Sequence, residues 1–213
     1  MGRRFGQLAM EENQPKGYQI VDRYGAGYRS FERADLHGAQ LSGAQLSGIC
    51  LRLSDLTGIH LRDAVLDCAD LTGAMMWRSQ LDRSCLKGAN LHQAILIKAS
   101  AEASDFSKTT LHRADLRLAC LRGANFSGAA LRGAKLAYSD LREADLTGAD
   151  LTGADLTGAD LTGAIAGACC WQSATLSRAK MDAELSAALR VVPVRTISSR
   201  YRGDRSELTS LAC

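Results

Sequence analysis

An all-β solenoid with short helical ends follows from two regularities in this chain of 213 residues. Every fifth residue from Phe31 to Met181 is large and apolar, with only two exceptions. These 31 sites hold 23 Leu, three Phe, two Met, one Trp and two Ala. Two residues before each of them, from Ala34 to Ala179, runs a second series of 30 sites, of which 21 are Ala. The departures in this second series are mostly small as well, such as Ser54, Ser84 and Thr109.

A period of five suits neither a helix nor a plain strand. On an α-helix, successive large residues would advance by about 140° and form no single face. On a strand, an odd period would throw them to alternate faces. The pattern closes when each pentad is a short extended side followed by a corner. The large central residue and the inner residue two before it then point inward, and the two residues flanking the centre point outward. The fifth residue turns the chain. Of the 30 corners 13 are Gly, including Gly38, Gly73 and Gly148, as a positive φ favours. Corners such as Arg78 and Tyr138 predict a second turn type.

Ala144-Asp145-Leu146-Thr147-Gly148 and the three near-identical pentads after it match the consensus A(D/N)LXX. In this the chain resembles the pentapeptide-repeat family over about residues 31–181. The resemblance implies a right-handed quadrilateral parallel β-helix with four pentads per coil, so that residues 20 apart stack on one another. Thirty pentads give about 7.5 coils, a rod about 35 Å long at a strand spacing of roughly 4.8 Å. A single coil buries too little apolar surface to offset its backbone entropy, so neighbouring coils must stabilise one another.

Three regions follow: an N-terminal segment and cap over 1–30, the β-helix over 31–181, and a C-terminal helical cap and tail over 182–213. Tyr18 to Tyr24 reads as a short helix ending at Gly25-Ala26-Gly27. Ala179 to Arg190 reads as a second, with Met181, Leu185 and Leu189 at helical spacing and Pro193 stopping it. A last short helix starts at Asp204. Helical ends cover coil edges that would otherwise pair between molecules. The alternative for the C-terminal helix is a homodimer contact, as in several members of the family.

Within the core, Ala101 leaves space that Phe106 and the stacked Phe126 refill, which conserves volume. Phe31 and Trp171 stand at the two ends of one inward column. Ile49 and Ile59 overfill the narrow inner sites and predict a backbone bulge near residues 48–62.

Composition excludes several functions. The net charge is +3, and the repeat region balances 16 basic against 16 acidic residues. Without a block of Lys and Arg, and with aromatic residues at 5%, direct nucleic-acid binding has no support. No stretch is long and apolar enough to span a membrane. Glu11 and Glu12 follow Arg3-Arg4, so no export signal forms and the chain reads as cytoplasmic. The seven Cys lack metal-binding spacing and read as reduced and structural. His92 and His112 stack without a third ligand, so neither metal nor cofactor is expected. No Ser-His-Asp set gathers on one face, and a Leu-filled rod has no substrate cavity, so the chain does not read as an enzyme.

Stacking at 20 residues converts the sequence into a surface map. Met75 and Trp77 flank one centre, and Ile95 and Ile97 flank the centre one coil on. Leu118 and Tyr138 occupy corners of the same column. Such a contiguous apolar surface marks a candidate partner-binding site, unless a terminal segment covers it. On another face Arg62, Asp82, Glu102, Arg122 and Arg142 stack as an expected ladder of surface ion pairs. Asp140, Asp145, Asp150, Asp155 and Asp160 form an acidic belt rather than a stripe, because the last four lie on four different faces.

These features point to a rigid, non-enzymatic scaffold for protein–protein interaction, with a regulatory or assembly role. Tyr24-Gly25-Ala26-Gly27-Tyr28-Arg29-Ser30-Phe31 also resembles leaders before bacterial, especially cyanobacterial, domains of this family. The alternative is a DNA mimic that binds and protects a topoisomerase such as gyrase, as some family members do. That role draws on the acidic belt but requires extended negative potential, which the balanced repeat region does not supply.

Overall fold

The computed structural model describes residues 16–189. From Ser30 to Lys180 the chain forms a right-handed quadrilateral β-helix. The outward residue before each centre pairs in parallel with its equivalent one coil on, from Ser30 with Cys50 to Asp160 with Lys180, without interruption. Centres and inner residues fill the interior: Leu46, Leu51, Leu56 and Leu61, the centres of a single coil, are all fully buried. In the refilled column the rings of Phe106 and Phe126 stack with centroids 5.0 Å apart and planes 6° from parallel.

The repeating pentad satisfies most of its backbone donors through neighbouring coils, as burial between coils demands. Around Leu36 the N–H of Leu36 donates to the carbonyl of Asp55 at 2.8 Å, and that of Gly38 to Thr57 at 2.9 Å. In the other direction, the N–H of Asp55 donates to Ala34 at 2.9 Å. The N–H of Ala39 returns to Leu36 at 3.0 Å and closes the turn. One donor per pentad remains, on the residue after the centre. Where the residue before the centre is Asp or Asn, its side chain can accept that N–H: Thr57 donates to Asp55 at 3.0 Å, His92 to Asn90 at 3.1 Å. This local ring is why the consensus places Asp or Asn there.

The corners form one class in φ rather than two. Every corner from Arg33 to Arg178 has a positive φ, with Arg78 at 57° and Tyr138 at 60° beside Gly38 at 66°. Positive φ is therefore not confined to the Gly corners. The closing bond and the ladder bonds repeat from corner to corner and impose one path on Gly and non-Gly residues alike.

Nor is there a bulge near residues 48–62. Ile49 and Ile59 are fully buried, their turn-closing bonds are both 3.1 Å, and the pairings of Gln45 with Val65 and Cys50 with Asp70 continue across the segment. Small residues at the alternate inner sites, Ala44 and Ser54, leave the volume that the two Ile occupy.

Two helices lie among the described residues. Helix α1 spans Lys16–Gly25 and covers the first coil. Its Ile20 is buried, and the Tyr24 hydroxyl donates to the carbonyl of Ser47 at 2.7 Å. The N–H of Gly27 reaches Tyr24 and that of Tyr28 reaches Arg23, both at 3.0 Å, with Gly27 at φ 95°. This pair of bonds is a Schellman stop, for which Gly is suited. Helix α2 spans Ala183–Leu189, four residues later than the start expected at Ala179. Residues 179–181 belong instead to the β-helix, where the N–H of Leu161 donates to Lys180 at 2.7 Å. Asp182 then accepts the N–H of Gly163 at 2.7 Å, and Leu189 is buried against the core. The short helix expected from Asp204 lies outside the described residues.

Candidate interaction face

The alternation within each pentad lifts Met75, Trp77, Ile95 and Ile97 onto one side of the rod. Met75 pairs directly with Ile95, and the N–H of Arg78 donates to Ile97 at 3.1 Å. The four residues therefore occupy two adjacent coils. Trp77 keeps 42% of its surface and Met75 44%, whereas Ile97 is half-buried. Leu118 and Tyr138 follow at the corners of the next two coils, both exposed. Among the described residues nothing covers this face. The guanidinium of Arg78 sits 4.7 Å from the Trp77 ring centroid, a cation–π contact that steadies the ring.

The apolar area extends beyond the residues expected from stacking. Corner side chains lean toward the following coil. Leu53, 51% exposed, lies over Gly73, where a Cβ would stand 2.7 Å from its Cδ2. Gly73 precedes Met75 by two residues, so Leu53 borders the same surface. The available signal was the pairing of a large corner residue with a Gly 20 positions later. Tyr138 makes the same pairing with Gly158.

Above Asp55, which pairs beneath Met75 in the ladder, charge on this face is mostly basic. Between Gly73 and Tyr138, the face and its two bordering corners carry Arg78, Lys98, Arg113, Arg117 and Lys135 against a single acid, Asp115. Arg117 grips that acid through two bonds of 2.8 and 2.7 Å. Its four companions have no ion pair among the described residues.

The carboxylates of the acidic belt also act as turn acceptors. Asp145, Asp150, Asp155 and Asp160 accept the N–H groups of Thr147, Thr152, Thr157 and Thr162 at 2.8 to 3.1 Å. Asp140 accepts the corresponding N–H and two guanidinium bonds from Arg142. Cations offset the belt further: Arg132 lies 3.7 Å from Asp150, and Lys180 3.6 Å from Asp160. Arg142 holds the Asp140 carboxyl below the usual range, outweighing partial burial. Burial raises the Asp160 carboxyl, but the Thr162 hydroxyl and amide and the charge of Lys180 bring it below its ordinary value.

The expected ladder of stacked ion pairs forms at only one step. Arg62 reaches Asp82 at 3.1 Å, and Asp82 also accepts the Ser100 hydroxyl and the Glu102 N–H. Arg122 instead pairs with the corner residue Glu143 at 2.7 Å, and Arg142 with Asp140 on its own coil. Glu102 accepts the Cys120 thiol at 3.0 Å; burial, followed by this carboxylate, pushes that thiol up to about 11. Long side chains at a fixed vertical spacing choose diagonal and within-coil partners as readily as vertical ones.

The six described cysteines are all unpaired in disulfides. Among the described residues no group of three or more His, Cys, Asp or Glu gathers as a metal site, and no helix is long and apolar enough to cross a membrane.

No protein of curated function matches the chain. Solved structures of other proteins are similar to the chain. A trypsin-treated form of QnrB1, a plasmid-mediated fluoroquinolone resistance protein, is 22% identical, with 76% of this chain and 84% of that one aligned at a TM-score of 0.61. HetL, involved in heterocyst differentiation regulation in the cyanobacterium Nostoc sp. strain PCC 7120, is 31% identical over 76% of this chain and 95% of its own, at a TM-score of 0.32. The family described as pentapeptide repeats matches residues 30–52, 54–83, 84–123 and 124–163, in 8 copies. With more than half of its length matched in this way, the chain belongs to the pentapeptide-repeat family.

Proposed function

We infer that this protein is a non-enzymatic, rigid scaffold that binds a partner protein through the face bearing Met75, Trp77, Ile95, Ile97, Leu118 and Tyr138. The observation that carries this reading is the exposed apolar surface itself. It runs over successive coils of an unbroken ladder, with Leu53 extending it. A repeat core fixes the geometry, and outward positions are free to specify a partner. An apolar area of this kind is kept on a surface for contact.

The topoisomerase-mimic alternative rests on the acidic belt, and the belt supports it poorly. Its carboxylates close their own turns, and Arg142, Arg132 and Lys180 offset three of them. A supercoiling assay tests that alternative: the scaffold reading expects no inhibition of gyrase.

The scaffold reading is tested by affinity capture from native lysate with wild type and a Trp77→Ser, Ile95→Ser variant. Circular dichroism establishes that both are folded. A protein retained by wild type and lost by the variant is the expected result. Identical capture by both would remove the face from consideration.

A further inference from the structure

We propose that the occupant of this face is an acidic amphipathic helix of the partner protein, laid along the rod axis. This inference rests on the partner-binding reading above and adds the chemistry of the partner.

Two properties of the face select such a ligand. The first is charge. The repeat region as a whole is balanced, yet from Leu53 to Tyr138 this face and its corners hold five cations and two acids, Asp55 and Asp115, and Arg117 occupies Asp115. Lys98 sits at a corner beside Ile97, and Lys135 on the face between Leu118 and Tyr138 in coil order. Cations bordering an apolar strip complement a ligand with apolar residues on one side and carboxylates at its margins.

The second property is spacing. The apolar residues come once or twice per coil from Leu53 through Tyr138, five coils with a separation of roughly 4.8 Å. That strip is about 19 Å long. A helix advances about 5.4 Å per turn, so one turn meets approximately one coil, and about 13 residues match the strip. A helix with an apolar residue at every third or fourth position presents one anchor to each coil. Trp77, exposed and held by Arg78, is the natural aromatic anchor.

The experiment uses the full chain and synthetic peptides of about 16 residues. One peptide carries Leu at every third or fourth position with Glu elsewhere. A second has Lys in place of Glu, a third scrambles the first, and phosphatidylserine vesicles complete the set. Tryptophan emission reports binding, because Trp77 is exposed whereas Trp171 is buried. The expected result is a blue shift with the acidic amphipathic peptide alone, weakened by salt. Lys98→Glu with Lys135→Glu should reduce its affinity by about tenfold or more, and Ile95→Ser, which leaves Trp77 as the reporter, should weaken binding as well. Equal binding of the Lys peptide would overturn the acidic assignment while leaving the face a partner site. Binding to vesicles but to no peptide would overturn it in favour of a lipid surface. No binding by any peptide would overturn the helix assignment, and the lysate capture would then decide the broader reading independently.

Discussion

The ring of Tyr138 lies against the backbone of Gly158 in the following coil, so close that a Cβ on Gly158 would stand 2.6 Å from its Cδ1 and Cε1. Gly158 serves two purposes there. It adopts a φ of 68° and leaves room for the ring that ends the apolar strip.

A comparison of two glycines separates these purposes. Gly153 has a similar φ of 69°, and a Cβ placed on it would meet nothing within 4 Å. Gly153→Ala should cost about 1 kcal/mol through backbone strain alone. Gly158→Ala should cost roughly 1 kcal/mol more, through the clash or the displaced ring. Adding Tyr138→Ala should remove most of that excess, as urea denaturation of the variants will show.

The Asp residues before the centres act first as turn acceptors. Asp155 accepts the Thr157 N–H at 3.0 Å and its hydroxyl at 2.6 Å. Asp155→Ala should therefore cost about 1 kcal/mol, comparable to loss of a helix cap. Asp155→Asn keeps an acceptor oxygen and should stay within about 0.5 kcal/mol of wild type. Equal losses for both would mean that charge, not turn closure, is what the position supplies.

Two inner serines on one column should respond in opposite directions. The Ser104 hydroxyl donates to the Leu81 carbonyl at 2.5 Å, whereas the buried Ser84 hydroxyl has no partner. Ser104→Ala should destabilise by about 1 kcal/mol. Ser84→Ala should stabilise by roughly 1 kcal/mol, since it removes a desolvated hydroxyl at little cost in volume. Thermal denaturation of the two variants checks the opposite signs.

Acid should weaken the fold, in part through its C-terminal coils. The carboxyls of Asp140, Asp150 and Asp160 are all held below their ordinary value in the folded chain. A group with a depressed folded pKa stabilises the fold when ionised. That contribution is complete above the unfolded value near about 4, and is lost as pH falls through the folded values. The urea midpoint should thus hold from pH 7 to about 5 and drop below about 4. Arg142→Gln should shrink the drop, because Arg142 is the main cause of the Asp140 shift.

Much of the architecture was legible because the pentad encodes direction. Inward and outward positions follow from local sterics, so stacking Met75 with Ile95 required only the coil length that the family resemblance implies. The core exchange of Ala101 for Phe106 and Phe126 was readable for the same reason. The common corner φ was not legible, since residue type at Arg78 and Tyr138 argues against positive φ and only the repeated inter-coil bonds impose it. The vertical pairing expected for Arg122 failed because a long side chain reaches a diagonal partner, Glu143.

The sequence by itself determined the register, the buried columns and the side of the rod on which Trp77 and Ile97 stand. The tertiary structure decided that Leu53 joins that surface, that Asp140 to Asp160 are committed to turns and cations, and that Lys180 belongs to the β-helix rather than to α2. The division has one physical cause. Inward or outward direction is a property of a residue's place in its own pentad, whereas the group that a corner or charged side chain meets is set by the neighbouring coil.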